Sequence, residues 1–314
     1  MPSIDMKLPE LKKYMGINPK PKDFNEKWKK FVELADKAPL NYKIVESSFK
    51  FPFGKAYDLT FDGIDGEKIY CKMLLPKSEK KVPGILEFHG YGGYSREWSN
   101  KLKYIANGMG VFSMDCRDQP GNSGKENYRR GNLVRGLEEN PLEMYYVKTF
   151  LDGYRLSKIV MELKEIDNDK IVTLGGSQGG ALAIAVGALN PKIKEIFSVY
   201  PFLSDYKRVW EMDLGESPYQ ELKDYFRYKD PLHEREEEIF TSLGYVDIQN
   251  FSSFIKNKVI MVTGLMDRIC PPSTQFAFYN KLQCEKKILI YPDFGHEDII
   301  GLDDIIYQWS LKLL

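Results

Sequence analysis

Three residue types able to transfer an acyl group occur in one order along the chain, each directly after an apolar run. Ser177 lies in Gly175-Gly176-Ser177-Gln178-Gly179, between the run Ile171 to Leu174 and the helical pattern Ala181-Leu-Ala-Ile-Ala-Val186. This is the strand, tight turn and helix that a G-x-S-x-G serine needs in order to stand above a sheet. Glycine is required at Gly175 and Gly179 because the turn brings neighbouring backbone too close for a side chain. A hydroxyl is a weak nucleophile at neutral pH, so a base and an orienting acid must follow. Asp267 ends Gly264-Leu-Met-Asp267 after Val259 to Thr263, and His296 lies in Phe294-Gly295-His296-Glu297 after Lys287 to Tyr291. In that order His296 would take the serine proton, and Asp267 would hold the imidazole tautomer and stabilise its cation. Asp293 and Glu297 are competing carboxylates; Asp267 is preferred because it ends the preceding strand.

Acyl transfer also needs donors aimed at the oxyanion. The backbone N–H of Gln178, just after the serine, is one candidate. The loop Phe88-His89-Gly90-Tyr91-Gly92-Gly93 resembles an HGGG-type segment, which makes the N–H of Tyr91 the second. Each feature also has a plain reading: a glycine-rich turn, a glycine-rich loop, a satisfied loop histidine. Their convergence on successive strand ends, where the ligand crevice of an α/β sheet lies, favours the chemical one. His89 suits a backbone or packing role better than a catalytic one.

The elements that must position these residues follow from periodicity. From Tyr42 to Pro76, short β-like runs broken by Asp62-Gly63-Ile64-Asp65-Gly66 read as antiparallel strands at one sheet edge. After Pro83, apolar strands alternate with helical patterns: Gly84 to Phe88, Gly110 to Asp115, Ile171 to Leu174, Ile196 to Val199, Val259 to Thr263 and Lys287 to Tyr291. This predicts an α/β fold with a mostly parallel sheet covered by helices on both faces. Helices are predicted at Leu142 to Leu163, Gly179 to Ala188, Gln275 to Leu282 and Asp303 to Leu313. Between Pro201 and Lys256 the strand rhythm stops, and Tyr219 to Tyr228 and Leu232 to Leu243 read as helices of an insertion. The run His233-Glu-Arg-Glu-Glu-Glu238 reads as the solvated face of one of them. One domain over 1–314 is expected, with a helical N-terminal extension over 1–40 and the insertion over 201–256.

Composition narrows the partners. Forty-five basic and 45 acidic residues cancel, so no broad field draws nucleic acid or an anionic membrane. Cys71, Cys116, Cys270 and Cys284 form no C-x-x-C pair, and with only His89, His233 and His296 no zinc site or disulfide framework is suggested. No apolar signal-like segment or spanning run is evident, so cytoplasmic residence with free thiols is expected, and the sequon at Asn250 reads as chance. Gly121-Asn-Ser-Gly124-Lys125 lacks the spacing of a phosphate-binding loop. No cofactor or metal is called for.

Several separated stretches resemble carbohydrate esterase family seven, the acetyl xylan esterases and cephalosporin C deacetylases of the α/β-hydrolase superfamily. They are Phe88 to Gly93, Asp115-Cys-Arg-Asp-Gln-Pro-Gly-Asn-Ser-Gly124, Gly175 to Gly180, Tyr200-Pro-Phe-Leu-Ser-Asp205, Gly264-Leu-Met-Asp-Arg-Ile-Cys-Pro-Pro-Ser273 and His296-Glu297. The resemblance implies deacetylation of small acetylated sugars such as xylo-oligosaccharides, and of cephalosporin C, through an acetyl-Ser177 intermediate. It also implies no metal and a ring-like homohexamer with enclosed sites. By position, Ser177, Asp267 and His296 match the family triad, and Tyr91 and Gln178 match its oxyanion hole, with Tyr91 also at the substrate. Arg117, Gln119 and Glu297 match supporting positions.

The family's usual Arg-Gly-Gln is Arg117-Asp118-Gln119 here, an aspartate where glycine's freedom at positive φ is usual. Arg117 is expected to pair with Glu297 beside His296, as a guanidinium suits a fixed carboxylate contact. Trp210 and Tyr200 either line the pocket or are core aromatics. Fold and triad alone also admit a broad carboxylesterase or peptidase, or a hydrolase-fold binding or scaffold protein without turnover.

Overall fold

Apolar runs that alternate with amphipathic helices can bury both faces of a sheet only if the strands pair side by side, and here all of them join one sheet. A computed structural model describes residues 4–126, 129–214 and 218–314. In chain order its helices are α1 Leu8–Leu11, α2 Phe24–Lys37, α3 Leu102–Ala106, α4 Tyr145–Glu162, α5 Gln178–Leu189, α6 Tyr206–Glu211, α7 Gln220–Lys229, α8 Glu236–Leu243, α9 Pro272–Lys281 and α10 Leu302–Leu311. Its strands are β1 Lys43–Glu46, β2 Gly54–Asp62, β3 Lys68–Pro76, β4 Val82–Phe88, β5 Gly110–Met114, β6 Ile166–Gly176, β7 Glu195–Val199, β8 Lys258–Gly264 and β9 Lys286–Tyr291.

The nine strands run in the order β1-β2-β3-β5-β4-β6-β7-β8-β9. β1, β2 and β3 are antiparallel at one edge, β3 pairs antiparallel with β5, and every pairing from β5 to β9 is parallel. This is the mostly parallel, helix-covered sheet that the strand rhythm predicts. One face buries the aromatic and aliphatic side chains of α2, α4 and α5, including Trp28, Phe150 and Ile184. The other buries Tyr104 and Ile105 of α3 and Ile306 and Trp309 of α10. α5 is buried along its whole length, which explains why its apolar residues show no single face. Among the described residues, no helix is long and apolar enough to cross a membrane.

The stretch after β7 carries α6, α7, α8 and a short 3-10 turn at Ile248–Phe251, with residues 215–217 outside the described part. Helix α8 begins at Glu236 rather than Leu232. The Asp230 carboxylate instead accepts from the amides of Glu234 (3.0 Å) and Arg235 (2.9 Å), and His233 has a φ of 55°, so the chain turns before it coils. Helix α4 likewise starts at Tyr145, after a 3-10 turn at Pro141–Glu143. Of the N-terminal stretch, residues 1–3 lie outside the described part. The remainder is tied to the insertion through Asp205, which accepts from Tyr14 Oη (2.7 Å) and from the amides of Ile17 (2.9 Å) and Asn18 (2.8 Å). Arg155 of α4 donates to the carbonyls of Ala35 (2.7 Å), Ala38 (3.1 Å) and Pro39 (2.7 Å), satisfying acceptors that the end of α2 leaves open.

The junction of β6 and α5 is the tightest place in the sheet. A Cβ at Gly179 would land on the carbonyl of Phe88 at the end of β4, and one at Gly175 on the backbone of Gly179 itself. Both obstacles are backbone held in paired elements, so neither can yield. Gly179→Ala is expected to destabilise the fold by about 3 kcal/mol, the upper range for overpacking. Urea unfolding monitored by tryptophan fluorescence measures this, and an unchanged midpoint would show that the junction is looser than its geometry.

Candidate active site

The β6 to α5 turn places Ser177 at φ 58°, ψ −121°, a conformation that side chains rarely adopt. The strain is held by hydrogen bonds on both sides: Ser177 N donates to Val199 O (2.9 Å), and Ser177 O accepts from the amides of Ala181 (3.1 Å) and Phe202 (3.0 Å). The hydroxyl therefore projects above the carboxyl ends of β4, β6 and β7. His296, on the loop after β9, lies with Nε2 3.0 Å from Ser177 Oγ and Nδ1 2.9 Å from Asp267 Oδ2. Asp267 is fully buried after β8, and its other oxygen accepts from the amides of Ile269 (2.9 Å) and Cys270 (2.8 Å). Those bonds aim one carboxylate oxygen at the imidazole, the arrangement that keeps Nδ1 protonated and Nε2 free to accept the serine proton. The ring of Tyr200 packs on His296 with centroids 4.5 Å apart.

Gln178 opens α5, so its N–H is one of the donors that a helix N-terminus leaves without an intrahelical partner. The loop after β4 carries Tyr91 on the wall of the Ser177 cleft. Its position is set by side chains distant in sequence. Gln119 accepts from Gly92 N (2.8 Å) and donates to Gln178 Oε1 and Tyr145 Oη (both 2.7 Å), while Tyr146 Oη donates to Gln178 Oε1 (3.0 Å). His89 Nε2 accepts from Cys116 N (2.9 Å), and its Nδ1 lies 2.8 Å from Gly90 O. Burial lowers the His89 pKa, which favours the neutral ring this backbone role requires. Tyr91 Oη donates to Glu221 of α7, whose carboxylate also accepts from Gly131 N (3.0 Å) and Leu133 N (2.7 Å).

Arg117 does not pair with Glu297. Its guanidinium makes a bidentate contact with Asp152 of α4 (2.7 Å at both atoms) and reaches Asp65 in the β2 to β3 turn (2.9 Å). Asp152 is fully buried in the helix face that covers β5, and a carboxylate there requires a cation more than an exposed one does. Burial works against the Asp65 carboxylate, but Arg117 outweighs it and holds the pKa down to about 2. Glu297 is exposed and accepts from Gly295 N (2.9 Å), so it shapes the histidine loop from within. Asp118 takes φ 52°, the region expected of glycine, and uses its side chain there. It accepts from Arg135 Nη1 (2.7 Å) and from the amides of Lys125 (3.1 Å) and Glu126 (3.3 Å).

Trp210 packs against Phe226 (4.7 Å) and Phe240 (6.2 Å) within the insertion and is absent from the lining of the Ser177 cleft, which Tyr200 and Tyr91 do line. Asp267, Cys270 and His296 hold their donor atoms within 4.8 Å of one another, a set that could meet a metal ion. The facing atoms of Asp267 and His296 are engaged with each other. Burial, then Asp267, raises the Cys270 thiol well above its ordinary range, against a contact with Ser177 that lowers it. A thiol so disposed is a poor ligand. Nothing in the sequence pairs Arg117 with Asp152 and Asp65 or Tyr91 with Glu221; the one visible sign is an acid inside the apolar pattern of α4, at Asp152.

Replacing Arg117 by Met should leave the Asp152 carboxylate buried without its cation and cost about 3–5 kcal/mol. Lys at the same position supplies charge without the two-pronged contact and should recover only part of the loss. Chemical unfolding of both variants checks the order; equal stability of wild type and Arg117→Met would mean the pair is dispensable.

The family model described as acetyl xylan esterase (AXE1) matches residues 1–313. The crystal structure of acetyl xylan esterase 1 from Thermoanaerobacterium sp. JW/SL YS485 superposes with a TM-score of 0.96 at 45% identity over 99% of both chains. An acetyl xylan esterase from Paenibacillus sp. R4 gives 0.92 at 31% identity, over 98% of this chain and 100% of that one. The acetyl esterase Axe7A of Xylanibacter ruminicola is 27% identical over 301 residues, covering 92% of this chain; the chain spans 66% of that relative's length. With the whole fold shared and the family match running end to end, this chain belongs to the acetyl xylan esterase family, a family of carboxylic ester hydrolases on the α/β-hydrolase fold.

Proposed function

We propose that the protein is a serine esterase that removes acetyl groups from small acetylated sugars, xylo-oligosaccharides among them, through an acetyl-Ser177 intermediate. The observation that carries this reading is His296, set between Ser177 Oγ at 3.0 Å and Asp267 Oδ2 at 2.9 Å in a chain of the acetyl xylan esterase family. Ser177 Oγ attacks the acetyl carbonyl carbon while His296 Nε2 takes its proton. The carbonyl oxygen becomes an oxyanion that accepts from the N–H groups of Gln178 and Tyr91. Collapse breaks the bond to the sugar oxygen, which leaves with the proton from Nε2. Water, deprotonated by the same nitrogen, then attacks the acetyl-enzyme, and acetate departs as Ser177 regains its proton. Asp267 stabilises the imidazolium in both halves without itself being protonated.

Cephalosporin C, whose acetyl ester offers the same carbonyl, is included in the proposed substrates. The resemblance of the separated motifs supports a ring-like homohexamer with the sites facing inward. Four free cysteines agree with a reducing, cytoplasmic setting.

Ser177→Ala should reduce hydrolysis of 4-nitrophenyl acetate by about 10⁴-fold or more while leaving the unfolding midpoint near that of wild type. Retained turnover would remove Ser177 from the chemistry. Acetyl, butyryl and octanoyl aryl esters separate the acetyl-specific reading from a broad carboxylesterase, since equal kcat/KM across the series contradicts the first. Acetate release from acetylated xylo-oligosaccharides should exceed that from acetylated xylan polymer, and sedimentation should give the mass of six copies; a monomer preferring polymer would contradict the enclosed assembly.

A further inference from the structure

The cleft at Ser177 has a volume of about 760 Å³, far more than an acetyl group fills. It runs between α3 and α10 over the face of the sheet where Glu87 of β4 sits beside its register partners Ser113 of β5 and Leu174 of β6. In an α/β sheet this layer is ordinarily filled by apolar side chains. Here Glu87 Oε2 instead receives Lys101 Nζ (2.8 Å) and Ser113 Oγ (2.6 Å). Lys101 is 1% exposed, so its ammonium is withdrawn from bulk water, yet both it and Glu87 line the cleft.

We infer that this compartment seats the alcohol half of the ester and recognises a polyhydroxylated leaving group through the Glu87 carboxylate, which Lys101 and Ser113 hold in place. The inference rests on the esterase reading above and assigns its substrate class a place. Both contacts to Glu87 fall on one oxygen, and 26% of its side chain is exposed, so the carboxylate keeps accepting capacity toward the cleft. A partly exposed carboxylate on the cleft wall matches the hydroxyls of a sugar, and hydrogen bonds to a charged acceptor are the strong kind. The rings of Tyr94 and Tyr104 add flat apolar edges for the sugar's C–H face. An alkyl or aryl leaving group would cover the ion pair without satisfying it, and a site built to bond hydroxyls discriminates steeply against analogues that lack them. The far end is fastened by Lys103 to Asp303 (3.3 Å) and by Tyr307 to Asn107 (3.1 Å), which holds α3 and α10 at a fixed spacing.

The test is the ratio of kcat/KM for mono-acetylated xylobiose to that for 4-nitrophenyl acetate, in wild type, Lys101→Met, Glu87→Gln and Asn100→Ala, each checked for folding by thermal melting. The ratio should fall at least tenfold in Lys101→Met and Glu87→Gln, chiefly through KM of the sugar ester. Asn100, exposed at the cleft wall, should give at least a threefold fall and carries the test if the buried variants do not fold. Ratios within twofold of wild type in the folded variants overturn the assignment while leaving the esterase reading intact. A wild-type enzyme that hydrolyses the aryl acetate but no acetylated sugar overturns the sugar-ester reading itself.

Discussion

Backbone approaching backbone at the start of α5 is the constraint on which the rest depends. The ends of β4 and β6 and the first turn of α5 meet so closely that only glycine fits at Gly175 and Gly179. This crowding forces Ser177 into its strained conformation and raises its hydroxyl out of the sheet. The same contact brings the start of the loop after β4 against the first turn of α5. A looser junction would relax the serine and part the loop after β4 from α5. The serine's conformation and the seat of that loop are thus one packing solution.

A closed polar framework surrounds that junction and fixes what crowding alone leaves free. Gln119 and Gln178 bond to each other, to Tyr145 and to Gly92, so the loop after β5 holds the loop after β4 against α5. Arg117, Asp152 and Asp65 lock the base of the same β5 loop to α4 and to the β2 to β3 turn. Glu221 reaches from the insertion to Tyr91 and to two amides near residue 132, so the insertion is tied directly to the donor loop. Buried networks of this kind cost little only when each member is satisfied, and satisfied ones hold a single geometry. Preorganised dipoles need no rearrangement as charge develops on a substrate oxygen.

The two faces of the sheet divide the labour. The face under α4 and α5 carries the dense apolar and aromatic core together with the Arg117 pair, and it serves rigidity. The face under α3 and α10 holds a smaller core and opens beside Ser177 into a cleft with charged walls. A single alternation of side chains along β4 produces both outcomes: Phe88 points into the large core, and Glu87, one residue earlier, points into the cleft.

The amino-acid order by itself determined the local features. Strand, turn and helix around Ser177, the order of Asp267 and His296 on later strand ends, the antiparallel edge and the parallel run are all written in period and punctuation, because neighbours along the chain set them. Tertiary structure decided which distant groups meet. Arg117 faces Asp152 and Asp65 rather than Glu297 because a carboxylate buried in α4 has the greater need of a cation, and burial is a property of the packed molecule. Trp210 belongs to the insertion core and Tyr200 to the histidine, though both are aromatic residues in the same stretch of chain. Asp118 occupies a glycine conformation because Arg135 and two loop amides reward its carboxylate there, and none of these partners adjoins it in sequence. Periodicity reports one residue's environment averaged along an element, whereas a contact between elements depends on the register, twist and loop paths that only the folded chain possesses.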